Sequence, residues 1–313
     1  MRIVSLLPAA TEIVYALGLG DELVGRTDAC DYPPDAATVP VVARVPFPEG
    51  AAAGILRAGS VGAGSAVDAA AGGSGRLDVA ALRVADPDLV LAGEDGGTRG
   101  ADRAHVIEAL RSWGSEAEVV ALEPTSIEGI LHAITTVGAM TSAEDEAIGL
   151  VELLRERLGA IEAQVQRRRA DGIRARRVVA LAWLDPPYAS GHWIPEQVRR
   201  AGGWDVIGRE GHRAAETSWH AVMEVDPDQV LLMPFGLDAR QAADAWERTV
   251  RPAAWHDLRA ARNGEVFALD ARSYFTRPGP RTIEGIALLA ELFDPGGFVD
   301  QAPTEAWIPL RDA

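Results

Sequence analysis

Cysteine is nearly absent from this 313-residue sequence, in which Cys30 stands alone. A single cysteine excludes an intrachain disulfide and any zinc site built on several cysteines. Long apolar runs are also absent, because no stretch reaches the roughly 18 to 20 residues that a membrane-spanning helix needs. The sequence therefore predicts no membrane span, and its one cysteine is compatible with either the cytoplasm or the periplasm.

Basic residues are scarce as well. The chain has 30 Lys and Arg against 46 Asp and Glu, which gives a formal net charge of -16. Nucleic acids and anionic membranes bind clustered basic charge, so this balance argues against both as partners. The basic clusters at 167–169 and 174–177 are interpreted as a solvated helix end, the usual position of such a charge run.

Motifs that hold metals or build common active sites are missing. The six histidines form no His-x-x-x-His pair, which argues against a bound metal ion. The sequence has no P-loop, no G-x-S-x-G elbow and no G-x-G-x-x-G after a strand. We therefore expect no metal and no catalytic cofactor, while the pattern leaves enzyme activity itself undecided.

The start of the sequence carries no sign of export. Residues 2–7 are too short for the core of a signal peptide, and they run directly into Pro8 and a helical pattern. Taken as it stands, the sequence predicts a cytoplasmic protein.

Apolar strands alternate with amphipathic helices and predict an α/β fold. A first strand is expected over residues 3–7, followed by a helix from Pro8. Residues 44–76, rich in Gly and Ala, are expected to form a flexible loop around one short helix. Further strands are expected at 23–27, 117–122, 178–181 and 266–269, turn-and-strand segments at 86–92 and 226–232, and helices at 105–113, 126–137 and 282–293.

Two features indicate two similar halves. Residues 143–169 carry one amphipathic pattern, and a helix of about 26 residues is about 39 Å long, enough to cross from one lobe to another. The segment 226–232 repeats 86–92 almost residue for residue. We therefore expect two Rossmann-like lobes with a ligand cleft between them. The predicted division is an N-terminal lobe at 1–142, a single long backbone helix at 143–172 and a C-terminal lobe at 173–313.

The most distinctive stretch is 182–196, which follows a buried strand. Its prolines and glycine are expected to forbid regular structure, and Pro195 suits the first turn of a helix that runs to Gly202. A strand that ends in an aromatic-rich loop and leads into a helix is where open α/β sheets bind ligands. The loop holds three aromatics, a carboxylate and a histidine, namely Trp183, Tyr188, Trp193, Asp185 and His192.

Several segments, spread over nearly the whole chain, resemble the helical-backbone (class III) periplasmic substrate-binding proteins, and more narrowly their cobalamin-binding-protein branch. These segments are 3–13, 30–33, 86–90, 184–187 with 191–196, and 274–281. The resemblance implies an ABC-transporter protein that holds cobalamin or another corrinoid as a small-molecule ligand. It also implies an ABC permease as partner and a periplasmic or surface-anchored location.

In that family the strand-end loops of both lobes face the cleft. Aromatics supply rigid contact area and a few polar groups set orientation, which suits a broad, flat ligand edged with amides. The ligand-binding residues that the resemblance implies are Pro8, Ala9, Thr11, Asp31, Glu94, Asp95, Trp183, Asp185, Tyr188, His192, Trp193, Phe235, Tyr274, Phe275 and Arg277. The tryptophans at 204, 219, 246 and 255 lie in or near helical patterns and are expected to pack in the core.

Three of these assignments have structural alternatives. Trp183 lies inside an apolar run and suits the core as well as the cleft. His192 would ligate cobalt, bind an amide or carboxylate, act as an acid or base, or simply anchor its loop. Arg277 suits either anion recognition or the start of a helix.

The sequence departs from the family pattern in three places. It shows no export signal, residues 44–76 are unusually rich in Gly and Ala, and 93–97 replace a Gln-Asp-Leu-Cys type segment. A second hypothesis is therefore a cytoplasmic enzyme on the same scaffold, in which Asp185 and His192 act with Glu94 or Asp95 on a small polar substrate. The missing export signal favours that hypothesis, whereas the missing catalytic constellation favours a binding protein. The Asp-x-His-x-x-Gly pattern of cobalamin-dependent enzymes is also absent.

Overall fold

The computed structural model describes residues 1–44, 76–93, 103–299, 301, 303 and 305–310. The chain divides into two compact units. The first comprises Met1–Pro124 and Glu128–Glu152, and the second comprises Thr125–Ile127 and Leu153–Ala313. The predicted loop at 44–76 lies almost entirely outside the described residues.

The first unit is built on a largely parallel sheet. Its strands are β1 (Ile3–Ser5), β2 (Leu23–Thr27), β3 (Val41–Arg44), β4 (Arg76–Leu77), β5 (Leu89–Ala92) and β6 (Glu118–Ala121). They lie in the order β4-β3-β2-β1-β5-β6, and only the pairing of β4 with β3 is antiparallel. The central strands β1 and β5 are fully buried, as Val- and Leu-rich strands covered on both faces are. Parallel strands end at one edge of a sheet, so the segments after β1, β2 and β5 share that edge.

The helices of the first half are α1 (Pro8–Ala16), α2 (Val79–Ala85), α3 (Arg103–Arg111), α4 (Ile127–Thr141) and the long α5 (Glu144–Ala170). The boundary between the units falls within α5, which occupies the predicted amphipathic stretch. Its first turn is acidic and its last turn holds Arg167, Arg168 and Arg169, which complements the helix dipole. The basic run at 167–169 is therefore a helix end, as predicted, whereas the prediction was wrong for Arg176 and Arg177, which begin the strand Arg176–Leu184. Among the described residues, no helix has the length and apolar character needed to cross a membrane.

The second unit has a mixed sheet. Its strands are β7 (Arg176–Leu184), β8 (Pro187–Ala189), β9 (Gly203–Asp205), β10 (Ala215–Glu216), β11 (Gln229–Leu232), β12 (Val266–Leu269) and β13 (Trp307–Pro309). The order is β10-β8-β7-β11-β12-β13, with β9 paired to the start of β7. The central strands β7, β11 and β12 are parallel. The helices are α6 (Ile194–Arg200), α7 (Trp219–Val225), α8 (Ala239–Arg248), α9 (Arg259–Arg262), α10 (Ala271–Tyr274) and α11 (Thr282–Phe293).

One local arrangement occurs in both units where the central strands begin. In the first unit the backbone N–H of Arg2 donates to Asp88 Oδ2 at 2.7 Å, and its guanidinium donates to carbonyls at the end of α2. In the second unit the N–H of Arg177 donates to Asp228 Oδ2 at 2.9 Å, and its guanidinium donates to the last carbonyl of α7. The sequence repeat is thus a structural repeat, and the predicted class of two Rossmann-like α/β units is confirmed.

The repeat offers a matched pair of substitutions, because α2 and α7 end at left-handed residues, Asp86 with φ 44° and Asp226 with φ 40°. The Asp226 carboxylate accepts bonds from the N–H and guanidinium of Arg259, whereas that of Asp86 has no partner among the described residues. Glycine suits this conformation. We expect Asp86→Gly to raise the free energy of unfolding by up to about 1 kcal/mol, and Asp226→Gly to lower it by about 1 kcal/mol.

Thermal denaturation of the two variants checks this expectation, and equal shifts of the same sign would show that the Arg259 bonds contribute nothing.

The pH dependence of the stability that Asp226 contributes gives a second readout. The backbone and side-chain bonds from Arg259 lower the pKa of Asp226. The stabilisation is therefore present above the ordinary aspartate pKa and is lost as the pH falls through the lowered one. The deficit of Asp226→Gly is expected to shrink over that acid range.

The stretch 182–196 contains more regular structure than the sequence indicated. The strand β7 continues to Leu184, and β8 returns antiparallel to it with Asp185 and Pro186 in the turn. The prediction that prolines forbid regular structure here was wrong, because Pro187 is the first residue of its strand, a position where proline is tolerated. The chain then returns toward the middle of β7, where the N–H of Ser190 donates to the Ala180 carbonyl at 2.9 Å.

Trp204 does not pack in the core as predicted. It is 59% exposed, since it lies on the short strand β9 and points away from its buried neighbours Gly203 and Asp205. Two of the other tryptophans assigned to packing, Trp246 and Trp255, lie in the core of the second unit, and the half-buried Trp219 packs against them. The three rings contact one another edge to face.

Candidate ligand-binding site

In the first unit, the buried hydroxyl of Thr11 fixes the segment that follows β1. Thr11, in the second turn of α1, donates to Ser5 Oγ at 2.9 Å and lies 3.0 Å from Cys30 Sγ. Thr27 Oγ1 is 3.2 Å from the same sulfur. Thr11 is fully buried, so its side chain connects the end of β1 to the loop after β2 and is not itself exposed to a ligand. The predicted neighbours Pro8 and Ala9 form the first turn of α1, with Pro8 half-buried and Ala9 buried.

The loop after β2 carries the predicted site residue Asp31, whose side chain is exposed. A buried arginine shapes this region. The guanidinium of Arg26 donates to the carbonyls of Thr27, Ala37 and Val39 at 2.8 to 3.0 Å. These three hydrogen bonds fix the path of the chain on both sides of Asp31. Glu94 and Asp95, also predicted as site residues, lie outside the described residues.

In the second unit, the β7–β8 hairpin carries Trp183, Asp185 and Tyr188. Trp183 is half-buried, and its indole N–H donates to the Asp185 carbonyl at 3.2 Å. Asp185 is exposed at the turn, whereas Tyr188 is 4% exposed and its hydroxyl lies 3.3 Å from Glu216 Oε2 on β10. The hairpin thus presents one aromatic face and one carboxylate beyond the parallel part of the sheet.

His192 lies where the chain has returned to the side of β7. It is half-buried and has the unusual φ of 54°. Its N–H donates to the His212 carbonyl at 2.5 Å, and its own carbonyl accepts from the N–H of Gly211 at 2.9 Å. Gly191 sits against the same backbone, and a Cβ there would lie 2.5 Å from the Ala214 nitrogen. The position of His192 is therefore fixed by backbone contacts with the segment 211–214.

Trp193 and Phe275 are buried in the second unit and contact each other. The Trp193 indole N–H donates to the Phe275 carbonyl at 2.8 Å, and the two residues are 2% and 0% exposed. Gln197, which the sequence analysis did not single out, donates to the carbonyls of Tyr274 and Thr282 at 3.0 and 2.9 Å. Together these bonds tie the start of α6 to the loop before α11. In the described structure Trp193 and Phe275 therefore act through packing.

The remaining predicted residues follow β11 and β12. Phe235 is half-buried, and its N–H donates to the Ala182 carbonyl at 3.0 Å. Tyr274 is 9% exposed, with the Arg281 guanidinium 6.0 Å from its ring centroid, within the range of a cation–π contact. Arg277 is half-buried, and its carbonyl accepts from Gly279 and Thr282.

Burial divides the predicted residues of the second unit into two groups. The accessible or half-buried group is Trp183, Asp185, His192, Phe235 and Arg277. The buried group is Tyr188, Trp193, Tyr274 and Phe275. This group combines aromatic faces with one carboxylate and one guanidinium, whereas both ring nitrogens of the half-buried His192 are buried. Such a set binds by stacking and by a few orienting hydrogen bonds.

A buried carboxylate beside this site had no signal in the sequence. Asp205, at the end of β9, is 7% exposed and accepts bonds from Ser190 Oγ at 2.5 Å and from the N–H groups of Gly208 and Ile207 at 2.9 and 3.2 Å. Desolvation by burial raises the pKa of Asp205 above its ordinary value, although these hydrogen bonds oppose the shift. Within the described residues, no group of three or more His, Cys, Asp and Glu side chains is arranged to hold a metal ion.

Known proteins resemble this chain over nearly its whole length. An uncharacterized ABC transporter substrate-binding lipoprotein of Bacillus subtilis, YvrC, is 27% identical over 305 residues, which cover 95% of this chain and 81% of that protein. A vitamin B12-binding protein of Vibrio cholerae is 26% identical over 296 residues, which cover 91% of this chain and 86% of that protein.

A solved structure adds evidence on the fold. The periplasmic heme-binding protein of Pseudomonas aeruginosa aligns with a TM-score of 0.70 and 20% identity, covering 94% of this chain and 93% of that chain. The sequence pattern of one protein family, described as periplasmic binding protein, matches residues 3–273. These findings confirm the resemblance seen in the sequence, and the chain belongs to the periplasmic binding protein family.

Proposed function

We propose that this protein is the substrate-binding component of an ABC transporter and that its ligand is a corrinoid, with cobalamin as the reference compound. The observation that carries the proposal is the relationship to the vitamin B12-binding protein of Vibrio cholerae, which covers 91% of this chain. The accessible aromatic and polar residues of the second unit support it. Cobalamin is then a transported ligand, not a catalytic cofactor.

The side chains that would contact the ligand are those that end the parallel strands and stay accessible. Trp183 and Phe235 offer aromatic surface for the flat face of a macrocycle. Asp185 and Arg277 offer an acceptor and a donor for amides at its edge. The buried residues Thr11, Trp193 and Phe275 would not contact the ligand and would fix the backbone of the neighbouring segments.

The alternative of acid–base catalysis by Asp185 and His192 is not favoured. Acid–base partners act on one substrate atom from hydrogen-bond distance, about 3 Å. Ser190 is opposite Ala180, whereas Asp185 follows Leu184. The four residue steps from Ala180 to Leu184 span about 13 Å of strand at the usual rise. His192 and Asp185 are thus placed at different levels of the hairpin.

A transport role would place the protein outside the cytoplasmic membrane, as a periplasmic or lipid-anchored protein with an ABC permease as partner. The lipoprotein of Bacillus subtilis supports this location, since it is named as an ABC transporter substrate-binding protein. The cytoplasmic location predicted from the start of the sequence is therefore not part of the proposal.

A panel of chelates tests the ligand class. A ligand at 100 times its Kd stabilises its protein by about 2.7 kcal/mol, which corresponds to a rise of several degrees in the melting temperature. We expect cyanocobalamin to produce that rise and hemin or a ferric hydroxamate to produce none. A higher melting temperature with hemin alone would mean that the ligand is a heme and not a corrinoid. No change in melting temperature with any chelate would overturn the proposal.

A further inference from the structure

The buried carboxylate of Asp205 connects Ser190, which lies 15 residues earlier in the chain, to the segment that directly follows Asp205. Its Oδ2 accepts the Ser190 hydroxyl at the end of β8, and its Oδ1 accepts the N–H groups of Ile207 and Gly208. Ser190 is itself 2% exposed. One buried group therefore fixes the end of the β7–β8 hairpin against the start of the segment 206–214.

The same two segments are bonded again a few residues further on. The N–H of His192 donates to the His212 carbonyl, and the N–H of Gly211 donates to the His192 carbonyl. The segment 206–214 then leads into β10, which pairs with β8 so that Glu216 lies opposite Tyr188. Asp205 thus closes the loop of chain 190–205, which includes His192, and the pairing of β8 with β10 adds Tyr188 to the same region.

The two segments approach each other closely at Gly191 and Gly208. A Cβ added at Gly208 would lie 2.6 Å from Ser190 Oγ, and one added at Gly191 would lie 2.5 Å from the Ala214 nitrogen. Real Cβ atoms do not approach that closely, so both positions depend on glycine. The two segments are held at backbone contact distance, and a change at Asp205 must be transmitted to Ser190 and its neighbours.

We propose that Asp205 is a positioning residue for the ligand site, which acts through Ser190 to set the hairpin and the backbone of His192. The carboxylate lies under the site and touches no ligand itself. The inference rests on the proposed ligand-binding function, because it assigns Asp205 a role in affinity. Groups that orient ligand-holding residues in this way typically change affinity by about 10- to 100-fold when removed.

The test uses the full chain and two readouts. The first is the Kd for cyanocobalamin by equilibrium dialysis, and the second is the imidazole NMR signal of His192, identified by its loss in His192→Gln. We expect Ser190→Ala and Asp205→Ala to shift the His192 signal and to raise the Kd about 10-fold. Asp205→Asn, which keeps an acceptor for the two N–H groups and a polar partner for Ser190, is expected to retain both wild-type values.

Asp226→Ala is the matched control, because it removes charge-assisted hydrogen bonds in the same unit away from this loop. It is expected to lower the melting temperature without moving either readout. The proposal is overturned if Ser190→Ala and Asp205→Ala leave the His192 signal and the Kd unchanged, or if Asp226→Ala moves them equally. Should the wild-type protein bind no cyanocobalamin, the ligand proposal fails, and the NMR readout alone still decides whether Asp205 positions His192.

Discussion

Replacement of Trp255 by alanine is expected to lower the free energy of unfolding of the second unit by about 3 to 5 kcal/mol, the usual cost of removing a fully buried aromatic side chain. Trp255 is 0% exposed, and its ring centroid lies 4.9 Å from that of Trp246 and 5.6 Å from that of Trp219. The Arg251 guanidinium covers the Trp246 ring at 4.4 Å. The substitution therefore opens a cavity at the centre of a packed aromatic group.

Trp204→Ala is the matched control, since it removes the same side chain from a site that is 59% exposed. Exposed substitutions away from specific contacts change stability by at most about 0.5 kcal/mol. Differential scanning calorimetry of the two variants measures the contrast. Equal losses would mean that the three-tryptophan group does not carry the stability of the second unit.

Replacement of Glu196 by alanine is expected to lower the free energy of unfolding by about 2 to 4 kcal/mol, because it leaves buried donors without their acceptor. Glu196 is 7% exposed and lies in the first turn of α6. Its carboxylate accepts the N–H of Ile127 at 2.8 Å and the Arg200 guanidinium at 2.9 Å. Arg200 keeps a second partner, Glu162 at 2.6 Å, which limits the loss to less than that of an isolated buried pair.

A similar ion pair at the surface provides the comparison. Glu284 lies 3.4 Å from Arg157, with both side chains about 40% exposed. Exposed pairs contribute about 0 to 1 kcal/mol, so Glu284→Ala is expected to leave the melting temperature nearly unchanged. Chemical denaturation of both variants checks the difference. If Glu196→Ala were as stable as Glu284→Ala, the buried carboxylate would have no role in holding the start of α4.

Periodicity in the sequence predicted the parallel core of each unit well. The helix Thr282–Phe293 begins and ends where its apolar pattern does, and α5 follows the spacing of Val151, Leu154 and Leu158. The repeat of 86–92 at 226–232 located the two equivalent strands β5 and β11. These features are local, because each depends on residues that are neighbours along the chain.

Pairings between distant segments could not be predicted in the same way. The hairpin strand β8 is stabilised by β10, which lies 26 or more residues further along and is only two residues long. Trp204 reads as a core residue in sequence, yet its strand ends the pairing on that side and leaves the ring exposed. Nothing near Asp205 in the sequence indicates that its partner is Ser190.

The same contrast between local pattern and long-range contacts applies to the predicted site residues. The sequence identified which strand ends carry aromatics, but a residue's burial depends on contacts made across the fold. Trp193 and Phe275 are buried, and the Trp193 indole N–H donates to the Phe275 carbonyl, whereas Trp183 and Phe235 keep accessible surface. Ligand contact is therefore expected from the second pair, and the assignment of individual site residues stays a prediction.

Titration with cyanocobalamin tests the central claim most directly. The tryptophan fluorescence of the wild-type chain, corrected for absorption by the corrinoid, is expected to fall along a saturable curve below tens of micromolar. Trp183→Ala is expected to weaken binding about 10-fold, while Trp204→Ala, on the exposed strand β9, is expected to bind as the wild type does. A wild-type titration without saturable quenching at tens of micromolar would contradict the account.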